Sequence, residues 1–211
     1  MRSVVVTGGT TRIGLAISSR LRSAHWRVIT TSHCPDSGAD IIADLSDSMG
    51  AARLYAKCLE VLGGNPPDAL VNNAALFTGD ESAIECVNLE SPKKLTMLMA
   101  GREVGRGTVV NVLDCRVLAP SFEPATAYER AKRALLEYTS KSAAMFAETL
   151  RVNAVAPGPV LAPVGVHEKA GDMPLGRPSA EDVAAAVEFL LSASATSGCT
   201  IPVDGGQSLF C

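Results

Sequence analysis

Short runs dominated by Val, Ile and Leu recur along the chain, at Ser3–Val6, Arg27–Thr31, Asp40–Ala43, Ala69–Asn72, Thr108–Leu113, Arg151–Val155 and Thr200–Val203. Most are nearly continuous in apolar residues rather than alternating, as expected of strands covered on both faces. They predict a seven-stranded parallel sheet. Longer helical patterns fall between them, over 13–23, 47–62, 91–100, 126–148 and 179–193. The last opens Ser179-Ala180-Glu181-Asp182, acidic in its first turn, where unpaired N–H groups favour negative charge. This sustained strand–helix rhythm predicts a doubly wound α/β fold with helices on both faces of the sheet.

The least regular stretch runs from Pro157 to Pro178 and holds five prolines, four glycines and His167. Ligands of such sheets bind beyond the carboxyl ends of the strands, so a long irregular segment following a strand is expected to act as a lid; the alternative is an ordinary surface loop.

Composition narrows the classes without choosing among them. With 47% apolar and 19% charged residues, the chain can fill one large core and is too weakly charged for disorder. No tract or compositional break divides it, so residues 1–211 read as a single domain. The net charge of -3, with Lys and Arg scattered, argues against nucleic acid as a partner. No signal peptide or membrane span is read. The six cysteines form no metal-type or disulfide-type spacing and are read as reduced thiols, so the expected location is cytoplasmic. No metal site is expected.

Candidate chemistry begins at the first strand, which ends Thr7-Gly8-Gly9-Thr10-Thr11-Arg12-Ile13-Gly14 before a helical pattern. Gly8 permits a tight turn, Gly14 permits close helix approach, and the N–H groups at the helix start offer a pyrophosphate site. Strand 2 ends Thr30-Thr31-Ser32-His33 without the acidic residue that would bind a ribose 2′-hydroxyl and repel a 2′-phosphate. Arg12, with Ser32 and His33, is positioned in sequence to surround that phosphate, which favours NADP(H) over NAD(H). The alternatives are a solvated charge for Arg12 and a loop residue for His33. Asp44, after strand 3, is a candidate partner for the adenine amino group, and Leu45 follows it into the same site.

Tyr128 and Lys132 are four residues apart in a helical segment and therefore share a face. An ammonium beside a phenol is expected to stabilise its phenolate and so lower its pKa, which suits proton transfer near neutrality. The spacing alone is common by chance.

At this point the chain resembles the short-chain dehydrogenase/reductase family. The glycine turn, Asn72-Asn73-Ala74, Tyr128-x-x-x-Lys132, Arg151-Val152-Asn153, Pro157-Gly158 and Val203-Asp204-Gly205-Gly206 occur in family order across nearly the whole chain. The resemblance implies a Rossmann-type fold, hydride transfer with a nicotinamide cofactor held also by Ile13, Asn73, Ala74, Ala75, Tyr128, Lys132, Pro157 and Gly158, and a homotetramer. The apolar residues on more than one side of the helix carrying Tyr128 agree with assembly. It also implies that Asn88, in Val87-Asn88-Leu89, organises a proton-relay water.

The departures from the family pattern are informative. Asn111-Val112-Leu113-Asp114 puts an aspartate where the family has its catalytic serine. Arg12 replaces the middle glycine of the turn, Phe77 follows Asn73-Ala74-Ala75-Leu76, and no threonine follows Pro157-Gly158. Together they look like the pteridine reductase subgroup, which implies Asp114, Tyr128 and Lys132 as the catalytic set, and Phe77, Asp114 and Tyr128 as contacts of a pterin substrate. The alternative for Phe77 is a core position. Asp114 stands one residue further from Tyr128 than is usual, so either a one-residue insertion is present or Cys115 takes the serine position; Asp114 is preferred because it keeps its offset from Asn111. The chain is compressed around 33–40 and 78–90. The competing functions are reduction of a ketone or 3-oxoacyl thioester, and a non-catalytic NADP(H) sensor.

Overall fold

The computed structural model describes residues 1–103, 105–119, 123–160 and 173–210. The stretch from Pro157 to Pro178 expected to form a lid is therefore described only at its two ends, and His167 and Cys211 lie outside the described residues. Seven parallel strands form one sheet in the order β3-β2-β1-β4-β5-β6-β7. They are β1 (Ser3–Val6), β2 (Arg27–Ser32), β3 (Ile41–Ile42), β4 (Ala69–Asn72), β5 (Gly107–Val112), β6 (Leu150–Pro157) and β7 (Thr200–Val203). The order reverses between β1 and β4, and there the crossovers diverge to opposite faces and leave a crevice at the carboxyl ends.

One face is covered by α1 (Arg12–Ser23) and α6 (Ala180–Ser192), packed on Val4, Val6, Val71, Val110 and Val155. The other is covered by α2 (Gly50–Val61), α4 (Ser91–Ala100) and α5 (Ala127–Met145). Strands β1, β4, β5 and β6 are buried along their whole length, which is why they read as continuous apolar runs rather than alternations.

The differences from the expected boundaries have local causes. The third strand has two residues rather than four because the Asp40 carboxylate, not its main chain, accepts from the Thr30 backbone N–H at 2.7 Å and from the Thr30 hydroxyl. The predicted first residues of the last two helices are their N-caps: Thr126 with Glu129, and Ser179 with Asp182, form reciprocal capping boxes. Helix α2 starts at Gly50 because the Asp47 carboxylate and carbonyl turn back onto the N–H groups of Met49 and Gly50. The sequence pattern missed a short helix, α3 (Glu81–Glu85), which runs through a π-helical turn (Cys86–Glu90) into α4, and a 3-10 turn at Cys115–Leu118.

Candidate active site

A cleft of about 800 Å³ opens at the carboxyl ends of the strands. Its walls include Gly8, Arg12, Ile13, Gly14, Ser32, His33, Asp44, Leu45, Asn73, Ala74, Ala75, Phe77, Asp114, Tyr128, Lys132, Pro157 and Gly158. Every residue expected at a cofactor, substrate or catalytic position lies on these walls except Asn88.

The glycine turn is built by close approach. Gly8 has φ +61°, and a Cβ on Gly14 would lie 2.0 Å from the Gly8 carbonyl oxygen. Thr11 caps α1 without a side-chain hydrogen bond, and the start of that helix, Thr11 to Gly14, lines the cleft, an arrangement suited to an anion. Arg12, where the family has glycine, has φ +52°. A left-handed conformation costs a non-glycine residue about 1–2 kcal/mol, so this turn holds its guanidinium at the cleft against backbone strain. The turn is latched to the next strand. Thr7 Oγ1 accepts from the backbone N–H groups of Asn73 and Ala74, each at 3.0 Å, and Asn73 Nδ2 donates to the carbonyls of Thr7 and Gly8.

On the far side, Tyr128 and Lys132 leave the same face of α5 and are 6% and 2% exposed. A buried amide chain fixes that helix: Asn72 Nδ2 donates to Asn111 Oδ1 at 2.8 Å, Asn111 Nδ2 donates to Thr139 Oγ1 at 2.9 Å, and Thr139 donates to the Leu135 carbonyl. Lys132 Nζ donates to the Val112 carbonyl at 2.8 Å and lies 5.6 Å from the Tyr128 ring centre. Burial pulls its pKa down to about 8, partly offset by the Asp114 carboxylate.

The Tyr128 hydroxyl donates to Asp114 Oδ2 at 3.3 Å. Cys115 instead turns away, its thiol bonding Gln207 Oε1 at 3.4 Å. The side chain beside the tyrosine is therefore the aspartate. The phenol differs from expectation: its pKa is raised rather than lowered, first by burial and then by the Asp114 charge, with Arg116 opposing. The ammonium that was expected to depress it is engaged with Val112, while a carboxylate lies directly at the hydroxyl.

Phe77 is 61% exposed, which removes the core reading. Its ring centre lies 4.5 Å from that of Tyr128 at an interplanar angle of 30°. Asn88 departs from expectation. Its side-chain nitrogen donates to the carbonyls of Leu76 and Ile84 at 2.7 and 2.8 Å, so the π-helical turn carries it beneath the Leu76–Phe77 segment rather than onto the cleft wall. Its Oδ1 is buried without a hydrogen-bond partner among the described residues.

Among the polar wall residues to which the sequence reading gave no role are Ser46, Arg116 and Gln207. Arg116 was legible as a basic residue two positions after an aspartate, the offset at which a side chain returns to its own turn. Gln207 directly follows the Asp204-Gly205-Gly206 turn, and no separate signal marked it.

A parallel seven-stranded sheet with a nucleotide-type glycine turn and a buried Tyr–Lys pair defines a dinucleotide-dependent oxidoreductase, and a family comparison agrees. A model described as enoyl-(acyl carrier protein) reductase matches residues 10–208, and the chain belongs to the short-chain dehydrogenase/reductase family. Among curated relatives it is similar to protein FixR of Bradyrhizobium diazoefficiens, 30% identical over 98% of this chain and 86% of that protein. It is also similar to L-xylulose reductase of Bos taurus, 31% identical over 97% and 96%. Among solved structures it resembles FolM alternative dihydrofolate reductase 1 from Brucella canis complexed with NADP, with TM-score 0.86 and 30% identity over 100% of this chain and 95% of that one. The Brucella suis protein of the same name, also with NADP, gives TM-score 0.85 and 30% identity over 100% and 96%.

Proposed function

We propose that this chain is an NADPH-dependent reductase of pterin-type C=N bonds, such as those of a dihydropterin, dihydromonapterin or dihydrofolate. The observation that carries the reading is the Asp114 carboxylate on the Tyr128 hydroxyl with the exposed Phe77 ring stacked beside it. The similarity to two dihydrofolate reductases of this fold supports it.

The cradle fits the cofactor by its own geometry: a strained cationic turn, a helix start without a side-chain cap, and a strand 2 end without an acid. Arg12, Ser32 and His33 take the 2′-phosphate, Asp44 the adenine amino group, and Asn73–Ala75, Pro157 and Gly158 line the path towards Tyr128. NADPH, when bound, supplies the hydride. Hydride addition to the carbon of a C=N bond leaves an electron pair on nitrogen, and the Tyr128 hydroxyl protonates it. The Lys132 ammonium offsets the phenolate so formed, and Asp114 holds the hydroxyl and accepts N–H donors on the pterin edge. Phe77 stacks on the planar heterocycle, worth about 1 kcal/mol beyond burial. Asn88 fixes that ring indirectly, through the Leu76 carbonyl.

The names of several relatives favour a second reading, reduction of a ketone or 3-oxoacyl thioester. NADPH oxidation with dihydrobiopterin, dihydromonapterin and dihydrofolate, beside a panel of 3-oxoacyl and simple carbonyl compounds, separates the two. Turnover confined to carbonyls would sink the pterin reading. The proposal also includes a single-domain, cytoplasmic, homotetrameric protein. The exposed Met145 on α5 and Phe189 on α6 supply apolar surface for assembly, and no helix among the described residues is long and apolar enough to cross a membrane.

A further inference from the structure

Asp114 and Tyr128 sit on separate elements, the segment after β5 and the first turn of α5, and neither element alone fixes the distance between them. Arg116 spans the gap. Its backbone N–H and Nε both donate to Asp114 Oδ1 at 3.0 Å, and its NH2 nitrogen donates to Asp114 Oδ2 at 2.9 Å. The other guanidinium nitrogen donates to Glu129 Oε1 at 2.6 Å. Glu129 is the capping-box residue of α5, its second oxygen accepting from the backbone N–H groups of Ala125 and Thr126 at 3.0 Å. It immediately follows Tyr128 in the chain. One planar fork therefore bolts the carboxylate that meets the phenol to the helix start that carries the phenol.

We propose that Arg116 is a positioning residue for the Asp114–Tyr128 couple, acting through the carboxylate it clamps and balancing that carboxylate's charge at the phenol. The inference rests on the proton-delivery set proposed above. A guanidinium is suited to this because only a rigid bidentate donor holds both carboxylate oxygens and still reaches a third acceptor. Arg116 is itself 45% exposed in its side chain, so it contributes little to the core.

Among the described residues, the charged and titratable groups around the phenol are Asp114, Cys115 and Arg116 from the segment after β5 and Lys132 from α5. Of these, Asp114 raises the phenol's pKa and Arg116 lowers it. Without the guanidinium, the hydroxyl holds its proton more tightly and the carboxylate is free to swing. The reductase then loses turnover, and its alkaline limb does not move to lower pH.

The test uses Arg116→Gln, Arg116→Lys, Asp114→Asn and the Arg116→Gln/Asp114→Asn double variant, with two readouts. Displacing a proton donor by an ångström costs about 100-fold in rate, so Arg116→Gln should lower kcat by about that factor with KM for NADPH unchanged, and Arg116→Lys should recover part of it. On top of Asp114→Asn, Arg116→Gln should add less than about threefold, because a residue acting through another is not additive with it. The second readout needs no substrate. In protein labelled with 13C at the tyrosine Cζ, the Tyr128 resonance, assigned with Tyr128→Phe, should move in Arg116→Gln and stay closer to wild type in Arg116→Lys. An unmoved resonance, or additive losses in the double variant, would overturn the role of Arg116. If wild type turns over no pterin while the resonance still responds to Arg116, the clamp stands and the substrate assignment falls.

Discussion

Asp114 Oδ2 accepts the Tyr128 hydroxyl at 3.3 Å, while Cys115, the next residue, bonds Gln207. Two adjacent side chains that compete for one position in sequence are thus sorted to opposite tasks. Asp114→Ala should lower kcat by about 100-fold or more, in the range of a lost proton-transfer partner. Cys115→Ser should stay within about threefold of wild type. Steady-state kinetics on both variants decides it, and the reverse ranking would return the catalytic position to Cys115.

Lys132 is buried with its pKa down to about 8 from an ordinary 10.5. The unfolded chain therefore binds more protons between those values, and stability rises with pH across that window. Below about pH 8 the cost of burying the ammonium is fully present, on the order of 3 kcal/mol for such a shift. Lys132→Met should accordingly raise stability at pH 7 by about 2 kcal/mol once the lost Val112 bond is deducted, with the gain shrinking towards pH 10.5. The same variant should lose turnover. Urea unfolding across pH is the check, and a variant less stable than wild type at pH 7 contradicts the argument.

Arg12 combines a left-handed backbone with a cleft-facing charge, and two substitutions separate those effects. Arg12→Gly should stabilise the free protein by about 1 kcal/mol through relief of strain, whereas Arg12→Ala keeps the strain and should not. Both should weaken NADPH much more than NADH. Thermal unfolding with cofactor titrations tests the two halves independently, and equal weakening of the two cofactors removes the 2′-phosphate role.

Gly14→Ala would put a methyl group 2.0 Å from the Gly8 carbonyl, a backbone atom that has no rotamer to escape into. The expected result is a loss of about 2 kcal/mol or more in stability together with loss of NADPH binding, read by denaturation and fluorescence titration. A variant with normal affinity would show that the turn yields to the added methyl group.

Phe77 is exposed, with its ring against that of Tyr128, so Phe77→Ala should leave stability within about 0.5 kcal/mol. Losing a stacking partner worth about 1 kcal/mol should raise KM for a pterin about fivefold. Comparable KM changes for pterin and carbonyl substrates would argue against stacking.

The architecture was legible because the central strands β1, β4, β5 and β6 are buried on both faces and announce themselves as apolar runs, and because glycine, Tyr–Lys and Asn-Asn-Ala motifs mark where it opens. What was not legible arises where side chains substitute for backbone. Asp40 takes over a ladder bond and shortens β3, and Asp47 delays α2. The π-helical turn that redirects Asn88 leaves no periodic trace in five residues. Arg116 was half legible: its offset from Asp114 marks a local turn, but its second partner, Glu129, reaches it only after two elements have packed, and no spacing rule encodes that meeting.

The buried chain from Asn72 through Asn111 to Thr139 runs across the strands and ends inside the helix that carries Tyr128 and Lys132. It makes the chemical half of the cleft one rigid body with the centre of the sheet, whereas the wall at Phe77 is held separately, by the bond from Asn88 to the Leu76 carbonyl. Substrate choice in this scaffold can accordingly be rewritten by exchanging wall segments, while the proton donor keeps its address.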